Sequence, residues 1–232
     1  CKMKNKKAVV LLSGGVDSTT VLKIVENKNF DICAVSFDYG QRHAIELDKA
    51  KLIAQENKAV SEHRVIKIDL RAIGGSALTA NIDVPKNKYC DIHAANDVPI
   101  TYVPARNTIF LSFALGVAEV IGALDIFIGA NVVDYSNYPD CSPEYLEAFE
   151  KMADLATAIG IKGHKIKIHA PLLMLSKDSI IKKGLELGID YSKTISCYNP
   201  STLGASCGTC DSCIIRKKAF KELKLTDPVA YE

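Results

Sequence analysis

The stretch AVVLLSGGVDSTTVL, residues 8–22, passes from an apolar segment through two glycines and a group of small polar residues, and then becomes apolar again. Its first five residues have the continuous apolar character of a parallel strand that is covered on both faces. Gly14 and Gly15 permit a tight turn and bring the backbone close to a ligand, because no Cβ intervenes. The polar side chains that follow suit the start of a helix, predicted over residues 18–27. Free backbone N–H groups and the helix dipole at such a start favour a phosphate or pyrophosphate.

Alternating strand and helix patterns continue along the chain after this loop. Predicted strands occupy residues 31–40, 62–70, 124–130 and about 165–169, and predicted helices occupy residues 44–58, 106–122, 143–159 and 176–187. Repeated β-α-β alternation predicts an α/β fold with a doubly wound, mostly parallel sheet. Residues 71–105, with two glycines and three prolines, interrupt the pattern as a long excursion, which in a compact domain is usually functional or mobile.

The composition is that of an ordinary globular protein. The 232 residues carry 29 basic and 27 acidic side chains, a net charge of +2 that gives no electrostatic case for nucleic acid. The most apolar region, residues 108–130, is interrupted by Glu119 and Asp125, so it predicts a buried helix followed by a strand rather than a membrane span. The apolar run near the N-terminus is too short for a secretory signal. We therefore expect a cytoplasmic protein with no membrane or nucleic-acid partner.

Four of the eight cysteines lie close together in SCYNPSTLGASCGTCDSC, residues 196–213. Cys197, Cys207, Cys210 and Cys213 form the pattern C-x9-C-x2-C-x2-C. Four soft thiolates with two-residue spacers suit a structural tetrahedral Zn²⁺. An iron–sulfur cluster is the alternative, because C-x2-C-x2-C also occurs in ferredoxins. The missing Cys-Pro of that motif favours zinc, and we predict a small C-terminal zinc-binding subdomain.

The first loop excludes two common phosphate-binding motifs. Val16 and Asp17 follow the glycines where a Walker A loop would need Lys-Ser/Thr, and G-x-G-x-x-G is absent. The pattern S-G-G-x-D-S-T-T after a strand instead resembles the PP-loop of ATP pyrophosphatases, which cleave ATP between the α- and β-phosphates. A glycine turn with a capped helix and no ligand is the alternative.

Other candidate residues lie in loops beyond the predicted strands. FDYGQRH, residues 37–43, follows the second strand, where an adenosine would reach the sheet edge; Arg42 and His43 are alternatively solvated. Arg106 and Asn107 open a predicted helix, and the guanidinium suits a phosphate or carboxylate, with a surface ion pair as the alternative. His164, His169 and Lys177 are interpreted as packed, solvated or helix-capping neighbours.

The loop DYSNYPDC, residues 134–141, combines carboxylates and tyrosines. Asp134 or Asp140 offers an acceptor for a guanine-like N–H edge. Tyr135 or Tyr138 offers a ring for stacking on a heterocycle. A turn-rich loop without a ligand is the alternative.

Taken together, several segments resemble the 7-cyano-7-deazaguanine (preQ0) synthase family of PP-loop enzymes from about residue 8 to 220. They are SGGVDSTT, FDYGQRH, VPARNTIFLS, GANVVDYSNYPDC, APLL, LSKDSII, SCYNP and CGTCDSCIIR. The resemblance implies an adenine nucleotide α hydrolase-like (HUP) fold, with a nucleotide-binding domain over 7–170 and a helical, Cys₄ zinc-binding region over 171–225. It also implies a homodimer.

The activity implied by this resemblance joins 7-carboxy-7-deazaguanine and ammonia at the expense of ATP, with Mg²⁺, in queuosine biosynthesis. The carboxylate is adenylated, ammonia gives the amide, and a second adenylation leads to the nitrile. Catalytic roles are expected for Asp17, Ser18 and Arg106. The residues expected to bind ATP are Leu12, Ser13, Gly14, Gly15, Val16, Asp17, Ser18, Thr19, Thr20, Val21, Leu22, Phe37, Arg42 and Asn107.

Two other functions fit parts of the sequence. A PP-loop tRNA-modifying enzyme of the thiolation or lysidine type shares the loop, but usually needs a strongly basic surface or persulfide cysteines. A zinc-ribbon regulator that binds nucleic acid is supported only by the basic residues of 214–224, which equally suit an amphipathic terminal helix.

Overall fold

The computed structural model of the chain describes residues 5–41, 45–86, 98–133 and 138–232. Five parallel strands form one sheet in the order β3-β2-β1-β4-β5. They are β1 (Lys7–Leu11), β2 (Asp31–Asp38), β3 (Val60–Lys67), β4 (Asp125–Phe127) and β5 (Lys167–His169). In chain order, β2 and β3 lie on one side of β1, and β4 and β5 lie on its other side. The strand order therefore reverses between β1 and β4, and a crevice opens there at the carboxyl ends of the strands.

Helices cover both faces of this sheet. The described residues form α1 (Val16–Asn27), α2 (Ile45–Glu56), α3 (Arg106–Ile121), α4 (Pro143–Ala156), α5 (Ala158–Ile161), α6 (Lys177–Glu186) and α7 (Asp211–Glu222). Alternate residues of β1 belong to different cores: Val9 packs with α3 and α4, whereas Val10 packs with α1, α2, α6 and α7. Since both are fully buried, the prediction of a doubly wound parallel sheet is confirmed.

Several predicted boundaries are wrong by a few residues. The strand predicted over 62–70 spans Val60–Lys67, and a short 3-10 helix, Leu70–Ala72, follows it. The helix predicted over 143–159 ends at Ala156, because Thr157 is extended and its hydroxyl accepts a hydrogen bond from the Gly160 N–H to begin a separate turn. The apolar pattern predicted a longer helix, but the capping hydroxyl of Thr157 begins a new turn and the first helix ends before it.

The excursion over residues 71–105 packs into the core where the structure describes it. Ala77, Leu78, Val84 and Val103 are buried and belong to the core between the sheet and α3. These parts of the excursion therefore cover the sheet.

The C-terminal region joins the same cores. Ile180, Tyr191 and Phe220 pack with Val10 and Leu12 in one hydrophobic cluster. The division of the chain at residue 170 remains a prediction.

The apolar region 108–130 forms most of α3 and then β4, which confirms the predicted buried helix and strand. Within the described ranges, no helix combines the length and the apolar character needed to cross a membrane.

Candidate active site and metal centre

The loop between β1 and α1 is shaped by Gly14. Its φ is +81°, in the left-handed region that favours glycine. A Cβ at this position would lie 2.7 Å from the backbone oxygen of Glu46 and 2.9 Å from the Ala50 nitrogen. The backbone of α2 therefore touches the loop directly, and the position requires glycine.

Gly15 is the N-cap of α1 and, having no side chain, gives the helix no side-chain cap. Ser13 and Ser18 close the loop on itself: their Oγ atoms lie 3.0 Å apart, and the Ser13 N–H donates to Ser18 Oγ at 3.1 Å. At the end of β4, a Cβ on Gly129 would lie 3.1 Å from the Ser18 nitrogen. The start of α1 is thus held at the carboxyl edge of the sheet, where its dipole favours an anion.

A lysine from a distant helix lies against the first turn of α1. Lys177 Nζ donates to both carboxylate oxygens of Asp17, at 2.7 and 2.8 Å. Lys177 is 8% exposed although it carries a charge. The sequence interpretation of Lys177 as a capping neighbour at the helix start missed this contact, because no local pattern joins residues 160 positions apart.

The loop opens into a cavity of about 260 Å³. Of the residues expected to bind ATP, those that line it are Leu12, Ser13, Gly15, Val16, Asp17, Ser18, Phe37 and Asn107. Phe37 stacks on Phe110, with ring centroids 3.9 Å apart and parallel planes.

Four other residues of this segment, which were also expected to bind ATP, do not line the cavity. Of the described positions, Thr19, Thr20, Val21 and Leu22 are buried and absent from the cavity wall. The Thr20 hydroxyl lies 2.7 Å from the Tyr191 hydroxyl, which joins α1 to the C-terminal region. Their side chains belong to the packing beneath the loop, and the expectation that they contact ATP stays a prediction. Arg42 lies outside the described residues.

Arg106 and three phenols form another part of the cavity wall. Arg106 follows Ala105, whose φ of +52° turns the chain sharply into α3. Burial opposes the charge of Arg106, but the phenols of Tyr39, Tyr138 and Tyr198 raise its pKa above the usual range. Burial raises the pKa of Tyr39 to about 12. Arg106 therefore remains a cation at neutral pH, and the phenols of Tyr39 and Tyr138, whose pKa values burial raises, remain neutral.

Glu46, on the first turn of α2, also lines this cavity. Burial raises its pKa to about 7, although the positive charge of Arg106 opposes the shift. The sequence reasoning did not single out Glu46, because a polar residue on an amphipathic helix resembles any solvated position.

The predicted acceptor contacts have mixed outcomes. Tyr138 lines the cavity, and its hydroxyl lies 2.9 Å from that of Thr101. Asp140 is buried and accepts the Asn107 N–H at 2.9 Å, while Asn107 Nδ2 donates to the Asp140 backbone oxygen at 3.0 Å. Asp140 is thus hydrogen-bonded to the first turn of α3. Asp134 and Tyr135 lie outside the described residues.

The four cysteines form one cluster. Their Sγ atoms all lie within 4.8 Å of one another, and backbone N–H groups donate to two of them: Asn199 and Cys207 to Cys197 Sγ, at 3.3 and 3.2 Å, and Cys210 to Cys207 Sγ, at 3.4 Å. Such donors stabilise thiolates. Four sulfurs at this spacing fit a tetrahedral ion with Zn–S bonds of about 2.3 Å.

This cluster borders the cavity. Cys197 lines the cavity, together with its neighbours Ser196 and Tyr198, and so does Ser212 between two other cysteines. A metal bound by the four thiolates would therefore fix one wall of the candidate active site.

A parallel doubly wound sheet, an SGGVDS loop at its switch point and a four-cysteine cluster beside the same cavity define a PP-loop α/β protein with a C-terminal cysteine cluster that could bind a metal. The family model described as queuosine biosynthesis protein QueC matches residues 7–224. The chain therefore belongs to the QueC family, which confirms the resemblance of its motifs.

Relatives named 7-cyano-7-deazaguanine synthase match almost the whole chain. The protein of Rickettsia rickettsii (strain Sheila Smith) is 60% identical over 227 residues, which cover 97% of this chain and 99% of that relative. The Geobacter sulfurreducens protein is 59% identical, covering 97% and 93%. The Citrifermentans bemidjiense protein is 56% identical, covering 98% of each.

Proposed function

We propose that this chain converts 7-carboxy-7-deazaguanine and ammonia into 7-cyano-7-deazaguanine, with ATP split to AMP and pyrophosphate. The observation that carries the proposal is membership of the QueC family over residues 7–224. Two chemically different walls of one cavity support it, since the reaction must bring a nucleotide and a heterocyclic carboxylate together.

ATP binds at the loop wall in this proposal. The start of α1 and the hydroxyls of Ser13 and Ser18 supply donors for the phosphates. Lys177 balances the charge of Asp17, so the carboxylate does not repel the nucleotide. Mg²⁺ bound with ATP neutralises phosphate charge.

The deazaguanine binds at the Arg106 wall. The guanidinium of Arg106 suits its carboxylate, and the rings of Tyr39, Tyr138 and Tyr198 offer stacking surfaces and hydroxyl donors. Asp134 and Tyr135, from the loop before Tyr138, remain proposed contacts of the same ligand.

The chemistry follows from positioning. A carboxylate oxygen of the substrate attacks the α-phosphorus, pyrophosphate leaves, and ammonia displaces AMP to form the amide. The amide oxygen then attacks the α-phosphorus of a second ATP, and pyrophosphate leaves. The C–O bond to AMP breaks, and the two protons on nitrogen are lost, which leaves the nitrile. Side chains orient the reactants and stabilise charge, and none forms a covalent bond.

Zn²⁺ is the proposed ion of the cysteine cluster, held by Cys197, Cys207, Cys210 and Cys213. Four thiolates leave no open position, so its role is structural.

The function is tested by incubating the metal-loaded protein with 7-carboxy-7-deazaguanine, ammonium, ATP and Mg²⁺. Mass spectrometry is expected to show the nitrile. AMP is expected only when 7-carboxy-7-deazaguanine is present. Salt-sensitive binding of tRNA or DNA with no nitrile would instead support a tRNA-modifying enzyme or a nucleic-acid-binding regulator.

A further inference from the structure

Two carboxylates from the described part of the chain line the cavity, Asp17 and Glu46. Both oxygens of Asp17 accept hydrogen bonds from Lys177. Across residues 5–41, 45–86, 98–133 and 138–232, no hydrogen bond or ion pair engages the Glu46 carboxylate. Glu46 is therefore the carboxylate of the described wall that is left for a ligand.

The position of Glu46 places it near the reacting atoms. Its backbone oxygen touches the loop at Gly14, so the first turn of α2 lies directly against the proposed phosphate site. Its side chain faces the same cavity as Arg106, which is proposed to hold the substrate carboxylate. The adenylated carboxyl carbon forms between these two features, and the second reactant must reach it there.

That second reactant is a cation in solution. At neutral pH the pool is almost entirely ammonium, which has no lone pair for attack until it loses a proton. A carboxylate attracts ammonium and accepts its proton, whereas the cations of the described wall, Arg106 and Lys177, repel it. The remaining carboxylate of that wall, Asp17, is already paired with Lys177.

We propose that Glu46 binds ammonium in this cavity and takes its proton, so that ammonia is released beside the adenylated carboxyl group; this role rests on the proposed synthase function. One N–H bond of ammonium breaks and its proton goes to a Glu46 oxygen. The nitrogen lone pair forms the C–N bond, the bond between carbon and the AMP oxygen breaks, and AMP leaves with that electron pair. The second proton of the attacking nitrogen passes to water, and Glu46 loses its proton to solvent before the next turnover.

The electrostatic surroundings suit this task. Burial brings the pKa of Glu46 to about 7, and the facing groups are Arg106 from α3, the Tyr39 phenol at the end of β2 and the Asp17–Lys177 pair. A proton acceptor works best when its pKa is near the working pH.

Glu46→Gln tests the proposal, with Glu56→Gln as the matched control. Glu56 ends the same helix, and its exposed carboxylate pairs with Lys193 Nζ at 2.6 Å, outside the cavity. Three rates are measured for each variant: ATP–pyrophosphate exchange with 7-carboxy-7-deazaguanine and no ammonium, nitrile formation against total ammonium between pH 6 and 9, and hydroxamate formation with hydroxylamine. Thermal unfolding verifies that each variant is folded.

Exchange precedes the ammonia step, so Glu46→Gln is expected to retain it within about twofold. Its kcat/KM for ammonium at pH 7.5 is expected to fall by about 100-fold, the size of a general-base effect. Because the variant depends on free ammonia, its rate rises about tenfold per pH unit, whereas the wild-type rate is nearly flat above pH 7. Hydroxylamine is largely unprotonated at this pH, so hydroxamate formation changes little.

Equal loss of exchange, nitrile and hydroxamate would show that Glu46 positions ATP or Arg106, and would overturn the proposal. An unchanged pH profile in a folded Glu46→Gln protein would do the same. If the wild-type protein shows neither exchange nor nitrile formation, the synthase function itself is refuted. This outcome differs from failure of the Glu46 proposal, because it is decided by the wild-type rates alone.

Discussion

Lys177 Nζ lies 2.7 and 2.8 Å from the two carboxylate oxygens of Asp17, across 160 residues of chain. This pair joins the first turn of α6 to the first turn of α1 at the wall proposed to hold ATP. It explains how an acidic residue can occupy the proposed phosphate site: the Lys177 ammonium group cancels the charge of the Asp17 carboxylate and fixes its orientation.

Lys177→Met is expected to leave the Asp17 carboxylate without its partner. The free energy of unfolding should fall by about 1.5–3 kcal/mol, the usual contribution of hydrogen bonds to charged groups. AMP formation should fall by about 10²–10³-fold, because a fixed charge at the phosphates is lost. Denaturant unfolding and AMP release measure the two effects.

Lys193→Met is the matched control, since it removes an exposed ion pair and should change stability little, without loss of activity. Normal AMP formation by Lys177→Met would exclude a role for the pair in catalysis.

Gly14→Ala is expected to abolish ATP binding. The left-handed backbone costs a residue with a Cβ about 1–2 kcal/mol, and the added carbon would meet the backbone of α2 at 2.7 Å. The loop must move away from the start of α1 to accept it. Isothermal titration with ATP measures the loss, and Gly163→Ala is the control, because it shares a positive φ but has open space around its Cβ position. Equal ATP affinity in both variants would show that the loop does not hold the nucleotide.

Metal removal is expected to damage the cavity as well as the C-terminal region. Cys197 lines the cavity and Ser212 lies between two other ligands, so Cys210→Ser should lower both metal content and affinity for 7-carboxy-7-deazaguanine. Elemental analysis is expected to show one zinc per chain in the wild type and little in the variant. Cys33→Ser, at a buried thiol of β2, is the control and should retain its zinc. Iron and sulfide in the wild-type sample would contradict the zinc assignment.

Glu46 is expected to make stability depend on pH. The folded chain holds this proton up to about pH 7, whereas an unfolded chain releases it near the ordinary value of 4.5. The folded state therefore binds more protons in this interval, and its stability falls as the pH rises from about 4.5 to 7. Glu46→Gln removes this loss, so its melting temperature should exceed that of the wild type at pH 8 and match it more closely at pH 5. A constant difference across this range would contradict the raised pKa.

Local patterns predicted much of the fold and one wall of the site. The strand before Ser13, the glycines and the helix start lie in one short segment, and the cysteine spacing lies in another, so neighbouring residues carried the information. Propensity alone missed the boundaries at Thr157, where a capping hydroxyl begins a separate turn, and at Lys67, the last residue of β3 that pairs with β2.

Other parts of the site were harder to predict because they depend on contacts between distant segments. Lys177 and Asp17 meet only after α6 packs beside α1. Asp140 resembled a substrate contact in the sequence, but the structure uses it to hold the Asn107 N–H. Glu46 has no distinguishing local pattern, and its importance appears only from the cavity that it lines.

The stoichiometry of the reaction tests the central claim most directly. Wild-type protein is given limiting 7-carboxy-7-deazaguanine, ¹⁵N-ammonium, ATP and Mg²⁺, and AMP and the nitrile are quantified by mass spectrometry. We expect a nitrile that carries ¹⁵N and two AMP for each nitrile formed. A folded, metal-loaded protein that forms no labelled nitrile, or that releases ADP in place of AMP, would contradict it.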